Sequence, residues 1–294
     1  MKKITALLIL FSLNFKIGKA QVVSDSVLIE GNYRSFHFTK PNPNAPLTDL
    51  MFIVHGSGGN GLEMRERTMA SSKIEEKAAQ VQTLIVYPSA YKKYWNECRK
   101  ASPAEANVLN INEQAFFDAM IQYCQKHFGI NKKHIFVAGM SGGGHMAYKL
   151  ALTMPNTFKA VAAFIANLPD STNMDCATSA AKAIPMMIVN GTDDPINPYN
   201  GGDVNLGTMK MGRVLSTENT LDYWANLAHY KGTPKKELLP DNVPNDGQTI
   251  EKYTYKKKRR PEIVLYKVIG MKHSFPSDMD GLVEALTFFK RQTK

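Results

Sequence analysis

Three cysteines in 294 residues are too few for a disulfide-dense scaffold, so an apolar core must hold the fold. None of them falls in a CxxC-type pair, which excludes a zinc finger or ribbon. No apolar run reaches the ~20 residues of a membrane-spanning helix. No repeat recurs at a solenoid period, and no low-complexity linker divides the chain. What is present is a globular composition, 44% hydrophobic and 21% charged, which rules out a disordered or collagenous chain.

The formal charge is +10, but Lys2, Lys3, Lys16 and Lys19 contribute four of it with no acid among residues 1–20. Lys256-Lys257-Lys258-Arg259-Arg260 carries much of the rest. No aromatic or repeat pattern accompanies that run, so it reads as a solvated loop between strands rather than a nucleic-acid site.

Residues 1–20 have the layout of a secretory signal peptide: a basic start, the apolar stretch Ala6–Leu13, then small Gly18 and Ala20 before a cleavage point. No cysteine follows for a lipid anchor. The expectation is export to the periplasm or medium, with residues 21–294 as one domain and no membrane anchor.

Strand and helix patterns then alternate. Val27–Glu30 and Tyr33–Phe38 flank Gly31-Asn32, a hairpin signal. Leu50–Val54, Thr83–Tyr87, His134–Ala138, Ala160–Ile165, Pro185–Val189 and Ile263–Val268 read as buried strands. Glu63–Gln80, Asn112–Phe128, His145–Leu152, Ser216–Tyr230 and Leu282–Lys290 read as helices. Asn110 with Glu113 resembles a capping box. This order predicts an α/β fold: a mostly parallel central sheet with helices on both faces, and a site at the strands' carboxyl ends.

Gly139-Met140-Ser141-Gly142-Gly143 spells G-x-S-x-G between a predicted strand and helix, the context that makes Ser141 a candidate nucleophile. Small Gly139 and Gly143 let strand and helix pass closely. A serine needs a base, and the base needs an acid to orient it. His273 follows a strand end and a break at Gly270, whereas His229 reads as a helix position, so His273 is the candidate base. Asp193 and Asp194 both lie in the turn after Pro185–Val189. Pro195 biases Asp194 toward an extended backbone and favours it as the acid. Asn190-Gly191-Thr192 also forms a glycosylation triplet, discounted because a glycan would block this turn. The glycine-rich loop His55–Gly61 lacks a P-loop lysine. It reads instead as an oxyanion cradle, with backbone N–H groups of Ser57 and Gly142 as donors.

These motifs, with Val86-Tyr87-Pro88, Tyr94-Trp95-Asn96, Asn190–Gly202, Leu239-Pro240-Asp241 and Gly270–Pro276, resemble the secreted α/β-hydrolase esterases related to poly(3-hydroxybutyrate) depolymerases and bacterial feruloyl esterases. The resemblance covers residues 45–292 and implies the triad Ser141, Asp194 and His273, with Ser57 as oxyanion donor. Two departures stand out. Gly142 replaces a common Asn or Ala after the nucleophile, where only its N–H is expected to matter. Phe275 replaces a Trp near the base.

Trp95 and Phe275 are candidate pocket walls. Cys124 lies on a helix's apolar stripe, a buried thiol. Cys98 and Cys176, read as lying in loops outside the core, are candidates to pair. The reading is a serine esterase acting on feruloyl or acetyl esters of plant polysaccharide. Its alternatives are a hydroxyalkanoate polyester depolymerase, a serine peptidase, or a non-catalytic binding protein on the same scaffold. No metal, organic cofactor, nucleic acid or obligate protein partner is implied.

Overall fold

The computed structural model describes residues 21–39, 41, 46–177 and 182–293. The expected signal peptide, residues 1–20, lies outside them. An antiparallel pair opens the chain, β1 (Val22–Ile29) and β2 (Asn32–Thr39). Its turn is Glu30-Gly31, both at positive φ, one residue earlier than the expected Gly31-Asn32. Ile29 and Asn32 therefore face each other across the ladder.

Next come β3 (Asp49–Val54), α1 (Gly61–Ser71), α2 (Ile74–Gln80) and β4 (Thr83–Pro88). They lead to α3 (Glu105–Val108), α4 (Glu113–Phe128), β5 (Ile135–Met140), α5 (Gly142–Thr153) and β6 (Ala160–Phe164). The last third holds β7 (Met186–Gly191), β8 (Gly202–Leu206), β9 (Met209–Val214) and α6 (Thr217–Leu227). It closes with β10 (Lys235–Leu238), β11 (Thr249–Tyr255), β12 (Ile263–Ile269) and α7 (Gly281–Arg291).

Ten strands form one sheet in the order β1-β2-β4-β3-β5-β6-β7-β12-β11-β10. The six from β4 to β12 are parallel, and both flanks are antiparallel. The parallel strands β3, β4, β6 and β7 are buried along their whole length, which is why their sequences are continuous apolar runs. One core cluster packs Phe52, Val137, Met146 and Trp224 on one face; Ile53, Phe136, Val264 and Phe289 pack on the other. The Lys256–Arg260 run is an exposed connection between β11 and β12.

Two helix expectations need correcting. Glu63–Gln80 is not one helix but α1 and α2, broken where Ser72 turns extended. The cause is distant in sequence: Asp280, the N-cap of α7, accepts hydrogen bonds from Ser72 Oγ and from Lys73 N, each at 2.8 Å. The α4 cap is Asn112, which accepts from Ala115 N at 3.0 Å. Asn110 instead has positive φ, and Glu113 is buried against Arg34 at 2.9 Å. A desolvated carboxylate takes the guanidinium in preference to its own helix end.

Cys98 and Cys176 are bonded, with Cα atoms 5.0 Å apart. Cys98 is 1% exposed and belongs to the core, contrary to its expected loop position outside it. Cys124 is the buried free thiol, its pKa pushed up by burial to about 12. The bond spans 78 residues. Loop-closure entropy for that length is about 4 kcal/mol. Replacing both bonded cysteines by Ala is expected to lower the Tm by about 10 °C. Calorimetry checks this, and an unchanged Tm would show that the bond adds no stability.

Candidate active site

Ser141 sits between β5 and α5 at φ 54° and ψ −119°, a conformation that non-glycine residues rarely hold. Its N–H donates to Phe164 O at 2.9 Å, and its carbonyl accepts from His145 N at 3.0 Å. The turn closes only because its flanks lack side chains. A Cβ on Gly139 would run into the Gly143 carbonyl, and one on Gly143 into the Val54 carbonyl. The hydroxyl is thereby presented above the sheet at the N-terminus of α5.

His273 and Asp194 reach Ser141 from the ends of β12 and β7, which are parallel neighbours. Their loops are stitched together: Thr192 N donates to Val268 O, Asp193 N to Met271 O, and Gly270 N to Thr192 Oγ1. Asp194 Oδ1 accepts from Ile196 N at 2.8 Å and Asn197 N at 2.9 Å. This leaves Oδ2 to accept from His273 Nδ1 at 2.7 Å. The opposite ring nitrogen, Nε2, lies 2.9 Å from Ser141 Oγ and accepts its proton. Asp193 is exposed and accepts from Thr192 Oγ1 instead. His229 is exposed, past the end of α6, where its carbonyl accepts from Arg260. Asn190 is buried and bonded to Ala166, Asn167 and Thr217, which leaves no room for a glycan.

The loop after β3 carries Ser57 against the start of α5. Neither Ser57 N nor Gly142 N donates to a partner among the described residues. Gly142 N is one of the free N–H groups that open a helix. The expectation that only its N–H matters needs correcting. A Cβ at Gly142 would lie 2.9 Å from Ser57 N and overlap Ser57 Oγ, so the missing side chain is what keeps the space beside the Ser57 N–H clear.

His55 fixes this loop, a role that nothing in the sequence signalled. Ala90 N donates to its Nε2 at 3.0 Å, so the ring proton resides on Nδ1, which donates to Gly56 O at 2.7 Å. The Gly56 carbonyl and the Ser57 N–H share one trans peptide and point in opposite directions. Holding the first toward His55 aims the second away from it.

Burial holds the His55 pKa down at about 4, although the Gly56 hydrogen bond opposes the shift. The unfolded chain thus takes up this proton near pH 6.5, well before the folded one. Stability is complete above that pH and falls as pH drops toward 4. Wild-type protein is expected to lose roughly 2 kcal/mol more than His55→Gln between pH 7 and pH 5. Urea unfolding at both values checks this; equal losses would refute it.

The site opens into a cleft of about 670 Å³ lined by the His55–Asn60 loop, the α1 face carrying Met64, Arg67 and Thr68, and Met140, Ile165, His273 and Phe275. Phe275 is a wall, edge-on to Phe164. Trp95, expected beside it, is not. It is 3% exposed, its Nε1 donates to His55 O at 2.9 Å, and its ring packs on His55. An indole N–H under the core needs an acceptor, and the end of β3 supplies one. Trp95 braces the His55–Gly61 loop from below. Among the described residues, no group of three or more His, Cys, Asp or Glu could hold a metal ion, and no helix is long and apolar enough to cross a membrane.

A family model described as phospholipase/carboxylesterase matches residues 40–211. A Nocardia uniformis subsp. tsuyamanensis protein named as an esterase, NocK, is 23% identical over 88% of this chain and 76% of its own length. An Aspergillus niger protein named as a feruloyl esterase C is 24% identical over 52% of this chain. The match spans about half (51%) of that relative's length. Among solved structures, an acetyl xylan esterase from Aspergillus awamori superposes with a TM-score of 0.60 at 17% identity, covering 91% of this chain and 99% of that one. That likeness is one of fold, the α/β-hydrolase fold.

Proposed function

The chain belongs to the phospholipase/carboxylesterase family and is a serine carboxylic ester hydrolase; from that premise we propose that it cleaves feruloyl or acetyl esters on plant polysaccharide through Ser141, His273 and Asp194. The observation that carries the catalytic reading is the unbroken hydrogen-bond chain from Asp194 through His273 to Ser141, opening on the cleft. His273 takes the Ser141 proton as Oγ attacks the ester carbonyl. The carbonyl oxygen becomes an oxyanion beside the N–H groups of Ser57 and Gly142. Collapse of the tetrahedral species breaks the ester C–O bond, and His273 returns the proton to the leaving alcohol. Water then enters and its oxygen attacks the acyl carbonyl while its proton passes to His273; as the bond to Ser141 Oγ breaks and the acid leaves, His273 returns that proton to Ser141 Oγ. Asp194 holds the ring in the required tautomer throughout.

The substrate class rests on the relatives named as a feruloyl esterase and an acetyl xylan esterase, and on a cleft that pairs an aromatic wall with an open side. Residues 1–20 serve as an export signal cleaved after Ala20, and 21–294 function as one domain. The Cys98–Cys176 bond supports export, because such bonds persist in oxidising compartments. A screen of purified protein against acetylated xylan, methyl ferulate and a hydroxybutyrate oligomer tests the substrate. The expected result is the highest kcat/KM on a feruloyl or acetyl ester. Preference for the hydroxybutyrate oligomer would overturn it in favour of a polyester depolymerase.

A further inference from the structure

Ile165 is the one β-branched residue at left-handed φ among the described residues, with φ at 45°. An isoleucine there is a true conformational outlier. The strain is held from both sides. Ile165 N donates to Val189 O at 2.8 Å, and the preceding carbonyl, of Phe164, accepts from Ser141 N at 2.9 Å. Beyond it, Ala166 N donates to Asn190 Oδ1 at 3.0 Å, and Ala166 O accepts from Tyr148 Oη at 3.1 Å.

The consequence is a break in strand alternation. Along β6, Ala160, Ala162 and Phe164 belong to one core cluster, Val161 and Ala163 to the other. Ile165 should fall with Val161 and Ala163, yet it joins Phe164. The backbone twist swings its side chain to the cleft side, where it lines the cavity with Met140 and Phe275. A glycine would accept this backbone without strain. Isoleucine brings strain and, in exchange, an apolar side chain next to the nucleophile.

We infer that Ile165 is a specificity-determining residue: it walls the cleft beside Ser141 and limits the bulk of the apolar ester substituent that fits against it. This rests on Ser141 being the nucleophile. The bulky group can belong to the acid or the alcohol half of the ester, and the assay separates the two.

The test measures kcat/KM for wild type, Ile165→Gly and Ile165→Val. One series is p-nitrophenyl acetate, butyrate and octanoate; the other is methyl, butyl and benzyl acetate. Removing the side chain is expected to raise the large-to-small ratio in one series by about 10-fold or more, the scale by which small changes in apolar bulk are discriminated. A shift in the acyl series assigns the wall to the acid half, and a shift in the alkyl series assigns it to the alcohol half. Ile165→Val, which keeps the branch and most of the volume, should move the same ratio in the same direction by a smaller factor. If Ile165→Gly fails to fold, the valine variant alone decides. Unchanged ratios in both series would overturn the inference. Ser141→Ala is run beside them: if it stays fully active, the triad reading falls, whereas unchanged ratios with an inactive Ser141→Ala bring down only the wall.

Discussion

Replacing Ser141 by Ala is expected to lower ester hydrolysis by at least ~10³-fold, because groups that act as one unit fail together. Ser141 Oγ is the atom that His273 Nε2 approaches to 2.9 Å, and no other hydroxyl among the described residues is hydrogen-bonded to that ring. His273→Ala should cost as much for the same reason. His229→Ala should cost little, since His229 is exposed beyond α6 and its hydrogen bonds, to Asn226 O and from Arg260, are made by its backbone. Steady-state rates on p-nitrophenyl acetate separate these cases. An active His273→Ala enzyme beside a dead His229→Ala enzyme would sink the assignment. All three variants should unfold at temperatures near that of wild type, because none of them removes a core side chain.

Gly142→Ala is the second large effect. The added Cβ would stand 2.9 Å from Ser57 N. The loop opposite has little freedom to retreat. Gly56 O is held by His55, Gly58 N donates to Lys93 O at 2.9 Å, and His55 O is held by Trp95. The methyl group therefore crowds the Ser57 N–H, one of the two proposed oxyanion donors. Loss of one such donor lowers kcat by about 10²–10³-fold in other enzymes, and a similar fall is expected here with KM changing less. Alanine is a better helix former than glycine, so the fold should survive. Wild-type kcat in a folded Gly142→Ala protein would show that the oxyanion is held elsewhere.

Ser141 and the Gly142 N–H were legible in the sequence because strand, tight turn and helix follow one another within a few residues; that a Gly142 side chain would meet Ser57 was not, because Ser57 comes from a distant loop. The parallel strands were legible for a similar reason, since burial on both faces leaves a continuous apolar run such as Leu50–Val54. Features set by distant partners were not. The break between α1 and α2 depends on Asp280, more than two hundred positions away. Trp95 turns from the cleft because a carbonyl at the end of β3 needs its N–H. Glu113 gives up a capping role to Arg34. The outer strand β10 is exposed throughout, so it carries no apolar pattern to read. Ile165 illustrates the same limit, for its residue type argues for an ordinary strand and against the backbone it adopts.

The hairpin of β8 and β9 separates the acid-bearing turn from α6, and it has its own small cluster of Val204, Met211 and Val214. Its tip, Gly207-Thr208, is exposed and outside the cleft. Exposed tips of this kind are where extra residues are best tolerated. The hairpin therefore offers the protein engineer a handle: an affinity peptide or a carbohydrate-anchoring module threaded between Gly207 and Thr208 would tether the enzyme to a surface while leaving the hydrogen bonds around Asp194 in place.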